Sequence, residues 1–137
     1  MAVKLSFVTW TGLAVAAAGL ALFAPVSPAR ADSGQEVATA AEHAGYAAQS
    51  KDLKTAQAHL HHTINCLVGP KGKGYDSKEL NPCKDLGNGA ILDTTDPGKK
   101  KGLKSALGKA RAGLKAKDLA VAQKAGADAE AALKKAM

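Results

Sequence analysis

One ten-residue stretch, Ala58–Leu67, contains three of the four histidines in the chain and one of its two cysteines. Imidazole nitrogens bind copper(II), nickel and zinc, so this density of histidine points to transition-metal chemistry. His59 and His62 are three residues apart, which places both rings on one face of a helix and lets them converge on a single ion. His61 falls instead at the edge of the apolar face of the same helix.

The fourth histidine, His43, belongs to the preceding helical segment. If the two segments pair antiparallel about a turn near Lys51, His43 comes level with His59. We therefore predict a divalent metal site formed by His43, His59 and His62. His61 is the alternate ligand, and copper is the first candidate ion, with zinc or nickel also compatible. Nearby carboxylates are further candidate ligands: Glu42, Asp76 and Asp93.

Other roles for the histidines stay open at the level of sequence. They can join Thr63 and Asn65 in a structural network of hydrogen bonds to loop carbonyls, provide two axial ligands to haem, or sense pH. The chain has no C-x-x-C-H motif, which excludes the usual covalent attachment of c-type haem, and it has no C-x-x-C motif for thioredoxin-like redox chemistry.

Residues 32–68 are predicted to form a first helical hairpin. Ser33 and Glu36 make a capping-box pattern, which predicts a helix from about residue 34 to about residue 50. A second helix, capped at Ser50 or Asp52, ends at the Gly-Pro pair 69–70. Its apolar residues recur at helical spacing: Leu53, Ala56, Leu60, Ile64 and Leu67.

Residues 69–96 are predicted to be a Gly/Pro-rich loop that contains one helical turn at Ser77–Leu80. Asp96 followed by Pro97 is a favourable helix start and opens a second hairpin over residues 97–137. The two helices of this hairpin also have apolar faces at helical spacing: Leu103, Leu107, Ala110 and Leu114 in one, and Leu119, Ala122, Gly126, Ala129 and Leu133 in the other.

An internal repeat relates the two hairpins, because Lys51–Gln57 (KDLKTAQ) matches Lys117–Gln123 (KDLAVAQ). Each copy spans the turn and the start of the second helix of its hairpin. We therefore predict an all-α protein, a four-helix bundle of two antiparallel helical hairpins joined by a long loop. Small Ala and Gly residues on the predicted contact faces imply close helix packing and a thin core.

Residues 1–31 have the pattern of a secretory signal peptide, with Lys4 before an uncharged apolar run and an A-x-A site at residues 29–31. We predict cleavage near Ala31 and a periplasmic or secreted protein with a single helical domain at residues 32–137. The alternative is an uncleaved membrane anchor. In an oxidising compartment Cys66 and Cys83 are expected to form a disulfide, worth about 3 kcal/mol, rather than a metal ligand or a reactive thiol.

An exported, alanine-rich chain of repeated helical hairpins with histidines on its helices resembles the periplasmic small metal-binding protein family. The resemblance is one of composition and layout, and it covers the two hairpins. It implies a four-helix bundle that takes up copper and other divalent metals. The second hairpin has no histidine, however, and the loop between Cys66 and Cys83 is not a feature that the resemblance implies.

Charge is distributed unevenly, since residues 97–137 contain 11 basic and 3 acidic residues. The alternative function is therefore a non-catalytic interaction module, in which the disulfide loop or the basic second hairpin binds an anionic membrane surface or polyanion. The lysines that favour this reading are Lys99, Lys100, Lys101 and Lys104. Specific nucleic-acid recognition is not expected, because no aromatic residue accompanies the basic ones. No catalytic motif is present, and we predict that the protein is not an enzyme.

Overall fold

The computed structural model describes residues 33–137, and the signal peptide predicted for residues 1–31 lies outside the described residues. Over the described range the chain is all-helical, with five helices and no strand: α1 (Ser33–Gln49), α2 (Leu53–Val68), α3 (Ala90–Asp93), α4 (Pro97–Leu114) and α5 (Leu119–Ala136). None of these helices combines the length and the hydropathy needed to cross a membrane.

Aspartate residues begin three of the four long helices. The side chain of Asp52 accepts a hydrogen bond from the backbone N–H of Thr55 at the start of α2, at 2.8 Å. Asp96 caps α4 and Asp118 caps α5 in the same way. Because the cap satisfies an N–H group that has no partner within the helix, each stabilises its helix by about 1 kcal/mol. The two copies of the internal repeat therefore start their second helices alike.

The four long helices pack against one another through small residues. α1 contacts α2 and α5, and α4 contacts α5 and α2. Gly126 of α5 is buried against α1, where a β-carbon would lie 2.8 Å from the carbonyl oxygen of Ala44. The large apolar side chains at the centre are few: Leu60, Ile64, Leu67, Leu103 and Leu133. The interior is therefore filled mainly by closely packed helix backbones and small side chains, and less by large apolar side chains.

Two buried features attach the loop to α2. The first is the predicted disulfide between Cys66 and Cys83, which is confirmed. The second is the side chain of Asn65, which donates to the carbonyl oxygens of Asp76 and Leu80 at 2.9 and 3.1 Å and accepts from the N–H of Asp76. Asn65 thereby provides hydrogen-bond partners for loop backbone groups that are not paired within a helix.

The helical turn predicted at Ser77–Leu80 is a turn but not a helix, and the short helix of this region is α3 instead. α3 is held against α1 by Glu36, whose buried carboxylate accepts the N–H of Gly89 at 2.8 Å. The backbone there is tightly packed, because a β-carbon on Gly69 would lie 1.7 Å from the carbonyl oxygen of Asn88. Gly69 and Gly89 both have positive φ, which glycine adopts without strain.

Candidate metal centre

Three histidines from two helices meet at the surface between α1 and α2. One ring nitrogen each from His43, His59 and His62 lies within 4.8 Å of the other two. The Nδ1 atom of His43 is 3.2 Å from Nδ1 of His59 and 3.3 Å from Nδ1 of His62. The juxtaposition predicted from the helical spacing and the hairpin register is therefore present.

Close packing of the two helices is what brings the rings together. Thr63 is buried, and its hydroxyl lies 3.0 Å from the carbonyl oxygen of His59 in its own helix and 3.3 Å from that of Ala40 on the neighbouring helix. Ala40 and Ala44 are fully buried on the face of α1 that also carries His43. Because these side chains are small, the two backbones approach closely enough for imidazoles on opposite helices to touch.

The contacts of His43 cannot both be good hydrogen bonds. In the neutral imidazole, Nδ1 carries either one proton or one lone pair, so it can donate once or accept once in the plane of the ring. With two short N···N contacts at Nδ1 of His43, either one proton or one lone pair is shared between both contacts, or in one contact two lone pairs face each other and repel. A cation bound between the three nitrogens removes this conflict, since each ring then directs its lone pair at the ion.

Burial and neighbouring imidazoles keep two rings of the cluster, His43 and His62, neutral. Desolvation by burial, reinforced by the neighbouring His62 and His59, lowers the pKa of His43 from 6.5 to about 4. Desolvation also lowers the pKa of His62, followed by the proximity of His59, while Glu79 opposes the shift. Neutral imidazole is the form that binds metal, so these two rings are ready to act as ligands at neutral pH.

The disulfide-pinned loop adds carboxylates next to the histidines. Nε2 of His62 lies 3.9 Å from Oε2 of Glu79, on the side of the ring opposite Nδ1. His61, the alternate ligand of the sequence prediction, is not part of the three-histidine cluster, and its Nδ1 lies 3.8 Å from Oδ2 of Asp76. Glu79 had no sequence signal of its own, because only the loop's path across α2 determines which carboxylate reaches His62.

The remaining candidate ligands lie elsewhere or serve other partners. The carboxylate of Glu42 accepts a hydrogen bond from the hydroxyl of Tyr46. Asp93 accepts the backbone N–H of Asn88 at the start of α3. The ring of Tyr46 packs beside the cluster, with its centre 5.5 Å from that of His43 and 5.4 Å from that of His59. Tyr46 therefore forms an aromatic wall that the sequence prediction missed.

The structural network of loop contacts exists, but other residues make it. Within residues 33–137 the histidine rings contact one another and loop carboxylates, and none of them hydrogen-bonds a loop carbonyl. Asn65 holds the loop instead, while the Thr63 hydroxyl contacts the carbonyl oxygens of His59 and Ala40. No protein-family model, curated protein or solved structure matches the chain.

Proposed function

We propose that the protein binds one divalent transition-metal ion through His43, His59 and His62. The observation that carries the proposal is the pair of Nδ1 contacts at His43, 3.2 and 3.3 Å long. Two nitrogens bound tetrahedrally to one ion at 2.0–2.1 Å lie about 3.3 Å apart. Both contacts at His43 thus have the spacing of two ligands on one tetrahedral ion, and all three rings offer a nitrogen within 4.8 Å of the other two.

Zinc and copper(II) are both candidates for the ion, and they differ in the ligand spacing that they prefer. Cis ligands of a square-planar copper(II) ion lie only about 2.9 Å apart, which is shorter than either contact. Copper, the first candidate from the sequence, competes through its higher intrinsic affinity for nitrogen ligands. Both ions therefore belong in the test, with zinc expected to leave the ring positions closest to those described here.

Three protein ligands leave a fourth position for water or another small ligand. Glu79 orients His62 in this proposal, because its carboxylate lies 3.9 Å from Nε2 of His62 and favours the tautomer with the proton on Nε2 and the lone pair on Nδ1. The cluster is half-buried rather than enclosed, which suits reversible binding and delivery of an ion better than permanent structural use.

The setting proposed for this site is an exported four-helix bundle of two antiparallel hairpins, as in the periplasmic small metal-binding protein family. The pairwise packing of α1 with α2 and of α4 with α5 supports the bundle. The disulfide supports an oxidising compartment such as the periplasm. A single three-histidine site on the first hairpin implies one ion per chain rather than storage of many.

Calorimetric titration of the purified protein with zinc and with copper(II) tests the proposal. We expect one ion per chain for the unaltered protein and no comparable binding for His59→Ala/His62→Ala. His61→Ala is the matched control, since it removes a neighbouring imidazole that lies outside the cluster. Cobalt(II) absorbance adds a geometric readout, because a tetrahedral site gives intense visible bands. Unchanged binding in the double variant would overturn the proposal.

A further inference from the structure

A second site lies away from the histidines, in an open cleft between the loop and α4. The cleft has a volume of about 460 Å³, within the range of small-molecule binding sites. Four apolar side chains form its floor: Val68, Ile91, Leu92 and Leu107. Leu92 is 56% exposed, so a large apolar surface faces solvent here unless something covers it.

Cationic side chains line the same cleft, and none of its lining residues is acidic. Lys73, Lys104 and Arg111 all border the apolar floor. Within residues 33–137, none of the three forms an ion pair with a carboxylate. The Arg111 guanidinium is oriented by one hydrogen bond, which Nη2 donates to the carbonyl oxygen of Lys73 at 2.6 Å. Its remaining N–H groups match the geometry of a carboxylate.

The walls of the cleft are fixed before any ligand arrives. The N–H of Gly72 donates to the carbonyl oxygen of Gly69, and the N–H of Gly69 donates to that of Asn65. The disulfide holds the middle of the loop at Cys83, and the hydrogen bond from Gly89 to Glu36 holds the loop just before α3. Binding to such a preorganised surface does not have to order the loop, so more of the contact energy appears as affinity.

We propose that this cleft binds a single-chain amphiphilic anion, such as a fatty-acid carboxylate. The carboxylate lies against Arg111, with Lys73 and Lys104 close by, and the hydrocarbon chain covers Leu92 and the floor beside it. No cleft residue belongs to the histidine cluster, so this site is independent of metal binding. Of the lysines that the sequence analysis named as a basic surface, only Lys104 lines this cleft, and Lys101 on the same helix does not.

Gly108 provides a variant that closes the cleft without disturbing the core. It is an exposed residue within α4, and a β-carbon placed on it meets no atom within 4 Å. Leucine is a good helix former, so Gly108→Leu should preserve or stabilise the fold while its side chain occupies part of the cleft beside Leu107 and Arg111. Gly108→Ala adds the helix propensity with little bulk and is the matched control.

The test is calorimetric titration of the purified protein with decanoate, in the presence of EDTA. We expect one decanoate per chain, much tighter than acetate or decyltrimethylammonium. Gly108→Leu should abolish binding, and Arg111→Gln should weaken it about tenfold or more. Lys101→Gln removes a charge from the same helix outside the cleft and should leave binding unchanged, as should Gly108→Ala.

Three outcomes would overturn the inference. Equal binding of the cationic amphiphile would mean that charge does not select the ligand. A second outcome combines equal losses of decanoate affinity in Lys101→Gln and Arg111→Gln with tight binding to phosphatidylglycerol vesicles that Gly108→Leu does not weaken. It would mean that the basic helix binds a membrane surface instead. A dimer in solution that Gly108→Leu dissociates would mean that a second copy of the chain covers the cleft.

Discussion

The Nδ1 atoms of His43 and His59 lie 3.2 Å apart although the two residues are sixteen positions apart in the chain. A short turn between α1 and α2 and the small side chains at their interface create this contact. Neither helix could form the cluster alone, since α2 supplies only two of the three rings. Metal affinity should therefore depend on the packing of the two helices as well as on the ligands.

Replacing His43 should reduce metal affinity more than any other single change on α1. His43→Asn removes the nitrogen that lies close to both other rings and leaves two ligands on one helix. We expect a larger loss than the roughly 10- to 100-fold that is typical when a residue that only orients a metal ligand is changed. Competition with a chromophoric chelator measures the affinity, and Gln49→Ala on the same helix is a control outside the cluster. Equal affinity of His43→Asn and the control would exclude His43 as a ligand.

Glu79→Gln should weaken metal binding by about 10- to 100-fold without abolishing it. The change keeps the size of the side chain but removes the charge that faces Nε2 of His62 at 3.9 Å. Without this charge, the tautomer of His62 with its proton on Nε2 and its lone pair on Nδ1 is less strongly favoured. Asp76→Asn, next to His61, is the matched control because it alters a loop carboxylate that faces a histidine outside the cluster.

Acidification should destabilise the metal-free protein through His43. The folded pKa of His43 is about 4 and the unfolded pKa is 6.5, so between these values the unfolded chain binds a proton that the folded chain does not. This contribution to stability is complete above about pH 6.5 and is lost as the pH falls towards 4. Urea unfolding in EDTA at several pH values should show a steeper loss for the unaltered protein than for His43→Asn.

The same shift has a consequence for the loaded protein. Protons compete poorly for a ring whose pKa is lowered, so bound metal should persist below pH 6.5 and be released as the pH approaches 4. Fluorescence of a zinc-selective dye during acid titration reports the release. Half-release at or above pH 6.5 would mean that protonation of ordinary surface histidines controls the site.

The sequence predicted the four long helices because caps and apolar spacing are local signals, and it predicted the histidine cluster because a short turn sets the register of α1 against α2. Aspartate caps, apolar spacing and the short turn near Lys51 determine where α2 begins and how His43 faces His59. The path of the loop was not predictable in the same way. Its course depends on buried polar contacts over long sequence separations, such as Gly89 with Glu36, and no local pattern encodes them. For that reason the position of α3, the role of Glu79 and the cationic cleft emerged only from the structure.

Removing the disulfide should weaken both the fold and the metal site. Cys66→Ser/Cys83→Ser removes a cross-link between residues 17 positions apart and should lower the free energy of unfolding by about 3 kcal/mol. The same loop carries Glu79, so metal affinity should fall about as far as in Glu79→Gln. Chemical denaturation and chelator competition measure the two effects. A stability loss with unchanged metal affinity would show that Asn65 alone positions the loop.

The close approach of α1 and α5 should make Gly126 intolerant of a side chain. A β-carbon there would lie 2.8 Å from two backbone atoms, the carbonyl oxygen of Ala44 and the nitrogen of Ala48, and backbone cannot rotate away as a side chain can. Gly126→Ala should therefore destabilise the protein by about 1–3 kcal/mol, in spite of the better helix propensity of alanine. Gly108→Ala, where the added carbon meets open space, should stabilise it by up to about 1 kcal/mol. Urea denaturation measures the change in the free energy of unfolding for each variant, which should have opposite signs. Destabilisation by both would mean that helix packing does not depend on the backbone contact at Gly126.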